Sequence, residues 1–362
     1  MNRDAPTRSP IRVLVVDDSA FMRTALSRMI ASESDLDVAG TAASGSEALD
    51  KITSLDPDVV TLDVEMPGLD GLETLRCIMA RSPRPVIMVS SATEKDAELT
   101  FNALGAGAFD YVPKQLSSTS LDILHIQQDL ITKIRAAARA RSSHLAGTLH
   151  RKPPRSSESE CRNTTSPSAA IIALGTSTGG PKALQDILPR LPRDLPVPIL
   201  IVQHMPPGFT GPFAQRLNAL CSVAVHEAAH REPVQPGVVY IAPAGKHMTV
   251  ERPSDSLTLI CLDTHPQNCL HMPSVDVMMK SVAKNFGPST MGVIMTGMGS
   301  DGADGMRAIQ RAGGFTIGQD EASCIVYGMP RACAELGALN RVVPLSQIPA
   351  QILQATNYRK RA

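Results

Sequence analysis

The sequence predicts two α/β units in tandem, each folded around a mainly parallel sheet. Three observations predict it. Short apolar runs of strand length alternate with stretches of helical period, the pattern of parallel strands joined by helices. That alternation lapses in a stretch rich in Arg, Ser, Pro and Thr, and then begins again. The length of 362 residues corresponds to about two domains, enough to bury more than one core.

In the first unit, placed at residues 11–130, the strand-like runs are Ile11–Val16, Val59–Leu62, Pro85–Val89 and Phe109–Val112. Helical patterns lie between them; Met22, Leu26, Met29 and Ile30 share one face. Strands apolar on both sides and separated by helices imply a doubly wound parallel sheet. Residues 131–167 read as a flexible linker, because Arg139 to Ser168 hold hardly any large apolar side chain. The second unit, 168–357, opens with the runs Ile171–Leu174 and Ile199–Val202 and continues with Met291–Met295. Helical patterns follow each, at Ala183–Leu188, Phe213–Leu220 and Met306–Ala312. A β-rich interlude at Val238–Ile241, Met248–Val250 and Leu257–Leu262 sits between.

Charge and composition exclude several classes of function. Lys+Arg and Asp+Glu are balanced at 35 each, so no overall field draws the chain to nucleic acid or an anionic membrane. Aromatics are 3% with no Trp, which removes the stacking platforms of single-strand binders. No helix-turn-helix pattern follows the linker, so a DNA-binding output is disfavoured as well. The seven cysteines are odd in number and include no Cys-x-x-Cys, an arrangement expected of reduced thiols. The N-terminus lacks an apolar signal region, and no apolar run is long enough to span a bilayer. A cytoplasmic protein without membrane insertion is expected.

Acids mark the first site. Asp17 and Asp18 follow the first strand, and Asp63 follows the Val59–Leu62 run. In a parallel sheet these carboxyl ends converge on one edge, where ligands bind. Carboxylates gathered there repel one another unless a hard cation such as Mg²⁺ lies among them. Ser90 and Lys114, at two further strand ends, supply a hydroxyl and a cation. The set suits transfer of a phosphoryl group to a carboxylate, with the metal and Lys114 neutralising the transferring oxygens. The phrases Val-Val-Asp17-Asp18-Ser, Leu-Asp63-Val-Glu-Met-Pro67-Gly68, Met-Val-Ser90-Ser91 and Asp-Tyr111-Val-Pro-Lys114 resemble a response-regulator receiver, a flavodoxin-like fold. The resemblance implies Asp63 as phospho-acceptor, and Mg²⁺ on Asp17 or Asp18, Asp63 and the carbonyl of Glu65. It also implies Ser90, Tyr111 and Lys114 as the switch residues. Gln115 stands where receivers usually carry proline.

The second site begins with Gly175-Thr-Ser177-Thr-Gly179-Gly180-Pro181, a Gly-rich turn between strand and helix. Gly-x-Ser-x-Gly fits a turn that exposes a nucleophilic hydroxyl, but the same composition also caps helices and cradles phosphates. A P-loop is discounted because Pro181 occupies the lysine's place. A serine needs a base. His204 follows Pro198–Gln203, and Asp301 lies in the Gly-rich turn after Met291–Met298. All three at one sheet edge fit the logic in which aspartate orients histidine and histidine deprotonates serine. The order Ser, His, Asp is not that of the α/β-hydrolases.

The phrases Gly-Thr-Ser177-Thr-Gly-Gly, Gln-His204-Met-Pro, Pro-Gly237-Val-Val-Tyr-Ile-Ala-Pro, Pro-Ser-Val-Asp276 and Thr-Gly-Met298-Gly-Ser-Asp301-Gly resemble the chemotaxis protein-glutamate methylesterase (CheB) family. This resemblance implies a triad of Ser177, His204 and Asp301, an oxyanion donor at the Met298 amide, and Thr178 as a supporting residue. The implied substrates are glutamyl methyl esters of methyl-accepting chemotaxis receptors, which would release methanol, with deamidation of certain receptor glutamines as a second activity. A chemotaxis histidine kinase would supply the phosphate, and the esterase itself would need no cofactor. The resemblance further implies that the unphosphorylated receiver restrains the esterase.

One literal motif competes. His226-Glu-Ala-Ala-His230 matches a zinc-protease signature, which requires both histidines one turn apart on a helix. The alternation Val223-Ala-Val225 and the nearby Pro233 and Pro236 argue for strand and loop instead, so zinc is not expected. His265 and His271, beside Pro266 and Pro273, read as ordinary loop positions.

Overall fold

Val13–Val16 have no polar neighbour among themselves and are fully buried, which fixes Ile11–Val16 as a central strand, β1. The computed structural model describes residues 9–91, 93–114, 120–147, 168–254 and 256–358. After β1 come α1 (Ala20–Ala31), β2 (Leu36–Ala42), α2 (Gly45–Leu55), β3 (Val59–Asp63) and α3 (Gly71–Arg81). β4 (Val86–Ser90), α4 (Glu94–Gly105), β5 (Asp110–Pro113) and α5 (Ser120–Gly147) complete the first unit. The strands are all parallel, in the order β2-β1-β3-β4-β5. Ser19, Ser44, Asp70 and Thr93 start α1 to α4 by accepting a first-turn amide with the side chain.

The tether expected from residue 131 onward does not begin there. α5 continues to Gly147, and Leu130, Ile131, Ile134, Ala137 and Ala138 are buried in the first unit's core. Two of its arginines are paired: Arg135 lies 2.7 Å from Glu33 and 2.6 Å from Asp35, and Arg141 lies 3.0 Å from Asp56. Alanine and arginine are strong helix formers, so a composition that looked like solvated linker forms a helix once its cations find acids. The remaining linker positions, 148–167, and Gln115 lie outside the described residues.

The second unit runs β6 (Ile171–Thr176), α6 (Gly180–Ile187), β7 (Ile199–Gln203), α7 (Thr210–Leu220), β8 (Ala224–Glu227) and β9 (Val238–Ile241). A hairpin of β10 (His247–Ser254) and β11 (Leu257–Asp263) follows, then α8 (Val275–Phe286), β12 (Thr290–Ile294) and α9 (Ala303–Arg311). It closes with β13 (Phe315–Gln319), α10 (Met329–Glu335), β14 (Arg341–Val343) and α11 (Ile348–Ala355). Seven strands form one parallel sheet, β14-β13-β12-β6-β7-β9-β8, while β10 and β11 pair antiparallel by themselves. Its core joins Ile171, Ala173, Leu200 and Ile294 to Met278, Met279 and Val282 of α8. β6 lies between β12 and β7, with Gly175 opposite Ile294 and Thr176 opposite Gln203. The carboxyl ends of these three neighbours lead directly to Asp301, Ser177 and His204. Among the described residues no helix is long and apolar enough to cross a membrane.

Candidate active site

Ser177 sits in the turn between β6 and α6. Its amide donates to Thr296 O at 3.0 Å, and its carbonyl accepts from Gly180 N at 2.8 Å. The turn admits only glycine at two points. Gly179 has φ +76°, and a Cβ at Gly180 would overlap Gln203 Oε1 and lie 2.5 Å from Thr176 Oγ1. Across the turn, a Cβ at Gly297 would overlap Met329 Sδ and lie 2.9 Å from Ser177 Cβ. The backbone carrying Met298 therefore passes as close to the serine as atoms allow.

Gln203 is a residue that the sequence reading overlooked although it stands beside His204. It is buried, and its Nε2 donates to the carbonyls of Ser177 and His204, each at 3.0 Å. One amide thus ties the serine's turn to the histidine's. His204 Nε2 lies 2.9 Å from Asp301 Oδ2. A nitrogen that donates to a carboxylate carries the proton, so in the neutral ring Nδ1 is left with the lone pair. Nδ1 is buried and, among the described residues, has no hydrogen-bond partner. It is the nitrogen free to act as a base, and no hydrogen bond yet joins it to Ser177. A second imidazole, His271, stacks on His204 with centroids 4.0 Å apart and planes inclined by 22°. That loop position is thus part of the site, for a reason no local pattern could signal.

Asp301 rests on the N-terminus of α8. Oδ1 accepts from Ser274 Oγ at 2.9 Å and from Asp276 N at 2.9 Å, and Oδ2 accepts from Val275 N at 2.8 Å. Burial would raise its carboxyl. The hydrogen bond and charge of His204 and the amides of Asp276 and Val275 outweigh burial and hold it well below the usual carboxylate range. Asp276 returns the arrangement: its Oδ1 accepts from Gly302 N at 3.0 Å and Gly305 N at 2.6 Å, at the start of α9. Burial, with Asp301's charge adding and the Gly305 amide opposing, raises the Asp276 carboxyl. Thr178 is buried, and its carbonyl accepts from Thr296 Oγ1 at 2.9 Å. Met298 is 43% exposed, and among the described residues its amide has no hydrogen-bond partner.

In the first unit Asp17, Asp18 and Asp63 each place an oxygen within 4.8 Å of the others, the one such cluster among the described residues. A set of carboxylate oxygens this close fits a hard divalent cation, and Mg²⁺ in particular. Lys114 Nζ lies 3.0 Å from Asp17 and 2.6 Å from Asp63. Burial pushes the Asp63 carboxyl up to about 6, with Lys114 opposing and Asp17 adding to the rise. Glu65 donates its amide to Asp63 Oδ1 at 3.3 Å and turns its side chain to Lys95. Ser90 Oγ is buried and receives the Thr100 hydroxyl at 2.8 Å. Tyr111 is buried too, edge-on to Phe101 at 6.2 Å. Elsewhere, His226 on β8 pairs with Glu232 at 2.6 Å, while His230 Nδ1 accepts from the Leu262 amide. The two histidines of the zinc-like motif have different partners and form no common site.

A model of the family described as CheB methylesterase matches residues 172–352, and one described as response regulator receiver domain matches 13–124. The chain is 46% identical over 353 residues to the protein-glutamate methylesterase/protein-glutamine glutaminase of Lawsonia intracellularis (strain PHE/MN1-00), covering 95% of this chain and 99% of the relative. Its namesake from Salmonella choleraesuis (strain SC-B67) is 46% identical over 350 residues, with 95% and 97% covered. Among solved structures, the crystal structure of the Thermotoga maritima CheB methylesterase catalytic domain matches with a TM-score of 0.50 and 38% identity. That match covers 52% of this chain and 98% of the other.

Proposed function

Since this chain belongs to the CheB methylesterase family and carries a receiver domain ahead of the catalytic one, we propose that it removes methyl groups from glutamyl esters of methyl-accepting chemotaxis receptors by a serine-hydrolase mechanism. Ser177 Oγ attacks the ester carbonyl while His204 Nδ1 takes its proton. Asp301 keeps the ring oriented and stabilises the imidazolium. The developing oxyanion is held by the Met298 amide, with Thr178 in support. His204 returns the proton to the departing methanol, and water then releases the glutamate from Ser177 by the same steps in reverse. A receptor glutamine would follow the same course with ammonia leaving. The observation that carries this reading is the 2.9 Å bond from His204 Nε2 to Asp301, which leaves Nδ1 buried and, among the described residues, unpartnered one strand away from Ser177.

On the receiver, Asp63 would accept a phosphoryl group from a histidine kinase. Asp17, Asp18, Asp63 and the Glu65 carbonyl would hold Mg²⁺, whose charge offsets that of the transferring oxygens. Lys114 would bind a phosphoryl oxygen, and Ser90 and Tyr111 would shift in response, so that phosphorylation raises esterase activity in the cytoplasm. The receiver is taken to run through α5, and the catalytic unit from 168 to 357.

Ser177→Ala tests the mechanism. Receptor demethylation should fall roughly 10³–10⁶-fold in a protein of unchanged circular dichroism. Adding His204→Ala should cost little more, because the triad acts as a unit. Near-normal turnover by folded Ser177→Ala would sink the mechanism.

A further inference from the structure

His247 has no exposed surface, yet both its ring nitrogens are engaged: Nε2 with Pro266 O at 3.1 Å, and Nδ1 accepting from Ser274 N at 3.1 Å. It therefore clamps the two ends of the segment 266–274. Gly245 N adds a bond to Met272 O at 3.0 Å, and Ser274 Oγ bonds to Asp301. The segment is held from beneath and lies over the site, since its His271 stacks on His204. Beside His271 stands Leu270, 79% exposed. The chain that passes close to Ser177 carries Met298, also exposed. Isolated exposed leucines are ordinary. Here, however, Leu270 adjoins the imidazole that stacks on His204, and it stands on a segment fixed by a buried clamp.

A glutamyl side chain is short. An ester within a protein reaches Ser177 only if its own backbone comes close to the chain around the nucleophile, and the segment that carries His271 and Leu270 reaches His204. Resting on the reading of Ser177 as nucleophile, we infer that Leu270 is a docking residue for the protein substrate. It covers an apolar side chain that the substrate polypeptide presents beside the reactive glutamate. A small ester fills the cleft without touching it.

The full-length chain is assayed on membranes bearing methylated receptor and on p-nitrophenyl acetate. In Leu270→Ser, KM for receptor should rise roughly 5- to 50-fold, as loss of one buried leucine contact implies, with kcat and the small-ester rate within about twofold. Leu270→Met, which keeps the apolar bulk, should retain the parent KM. An unchanged receptor KM in Leu270→Ser overturns the inference. So does an equal loss on both substrates, which would mean that Leu270 merely shapes the site. A faster receptor reaction would do the same, since Leu270 would then face an inhibitory contact. Ser177→Ala run alongside isolates the premise: if it still hydrolyses the small ester, the inference falls with its nucleophile.

Discussion

Asp301 keeps its charge where burial alone would remove it, because His204, Ser274 and two amides at the start of α8 converge on it. Asp301→Asn would reverse the hydrogen-bond demand on His204 and favour the wrong tautomer. kcat should fall roughly 10⁴-fold, the size known for this change in a serine protease triad. The wild-type carboxyl is depressed relative to its ordinary value. Its stabilisation is therefore present above the ordinary carboxylate range and is lost only as pH falls through the depressed value. The acid limb of the esterase rate should show no break where free aspartates titrate, and a break in that range would contradict this. Ser177, His204 and Asp301 were legible in the sequence because each ends an apolar run, and strand ends converge. Gln203 and His271 were not: one acts by reaching two carbonyls at once, the other by lying flat on a ring from a distant loop.

At the scale of elements, α8 and α9 brace each other. Asp301, from the loop before α9, binds the first amides of α8, and Asp276, from the first turn of α8, binds amides at the start of α9. Asp276→Asn removes one of these charged acceptors. It should lower stability by about 1–2 kcal/mol and kcat roughly 10–100-fold with KM little changed, because Asp301 would move without the cleft changing shape. Thermal melts and steady-state kinetics on one preparation would separate the two effects. The turn after β6 is equally exacting. Gly180→Ala forces a methyl group onto Gln203 and should cost about 1–3 kcal/mol and most of the activity. Elements with unbroken apolar runs, such as β1, β6 and β7, could be read directly. β13 and β14 could not, because Phe315–Gln319 is half polar and Arg341–Val343 is too short to show a period. The end of α5 was hidden by composition: its arginines resemble a tether until their acids, far off in sequence, are seen.

For the whole molecule, the carboxylate cluster of Asp17, Asp18 and Asp63 and the serine belong to different units. A chelator should stop phosphorylation of Asp63 yet leave hydrolysis of a small ester untouched, whereas loss of both on chelation would point to a metal in the esterase. Asp63→Asn should keep the basal rate on receptor and ignore a small-molecule phosphodonor with Mg²⁺ that stimulates the parent chain severalfold. Two α/β units in tandem were legible because each restarts the same alternation of strand and helix. The end of the first unit's last helix was not, since it depends on pairings that only the folded first unit brings together.

The order in which β12, β6 and β7 enter the sheet has a kinetic consequence. Thr176 and Thr296, hydrogen-bonded neighbours at the serine's turn, are 120 residues apart, and His204 and Asp301 are 97 apart. On a growing chain, Ser177 and His204 are synthesised long before Asp301, so a nascent polypeptide lacking β12 should have no esterase activity. After dilution from denaturant, helical signal should return first. Competence for catalysis should appear only with closure of these long loops, in the slow, concerted step that carries most of the sheet's non-local contacts. A delay between recovery of ellipticity and recovery of turnover would measure that closure directly.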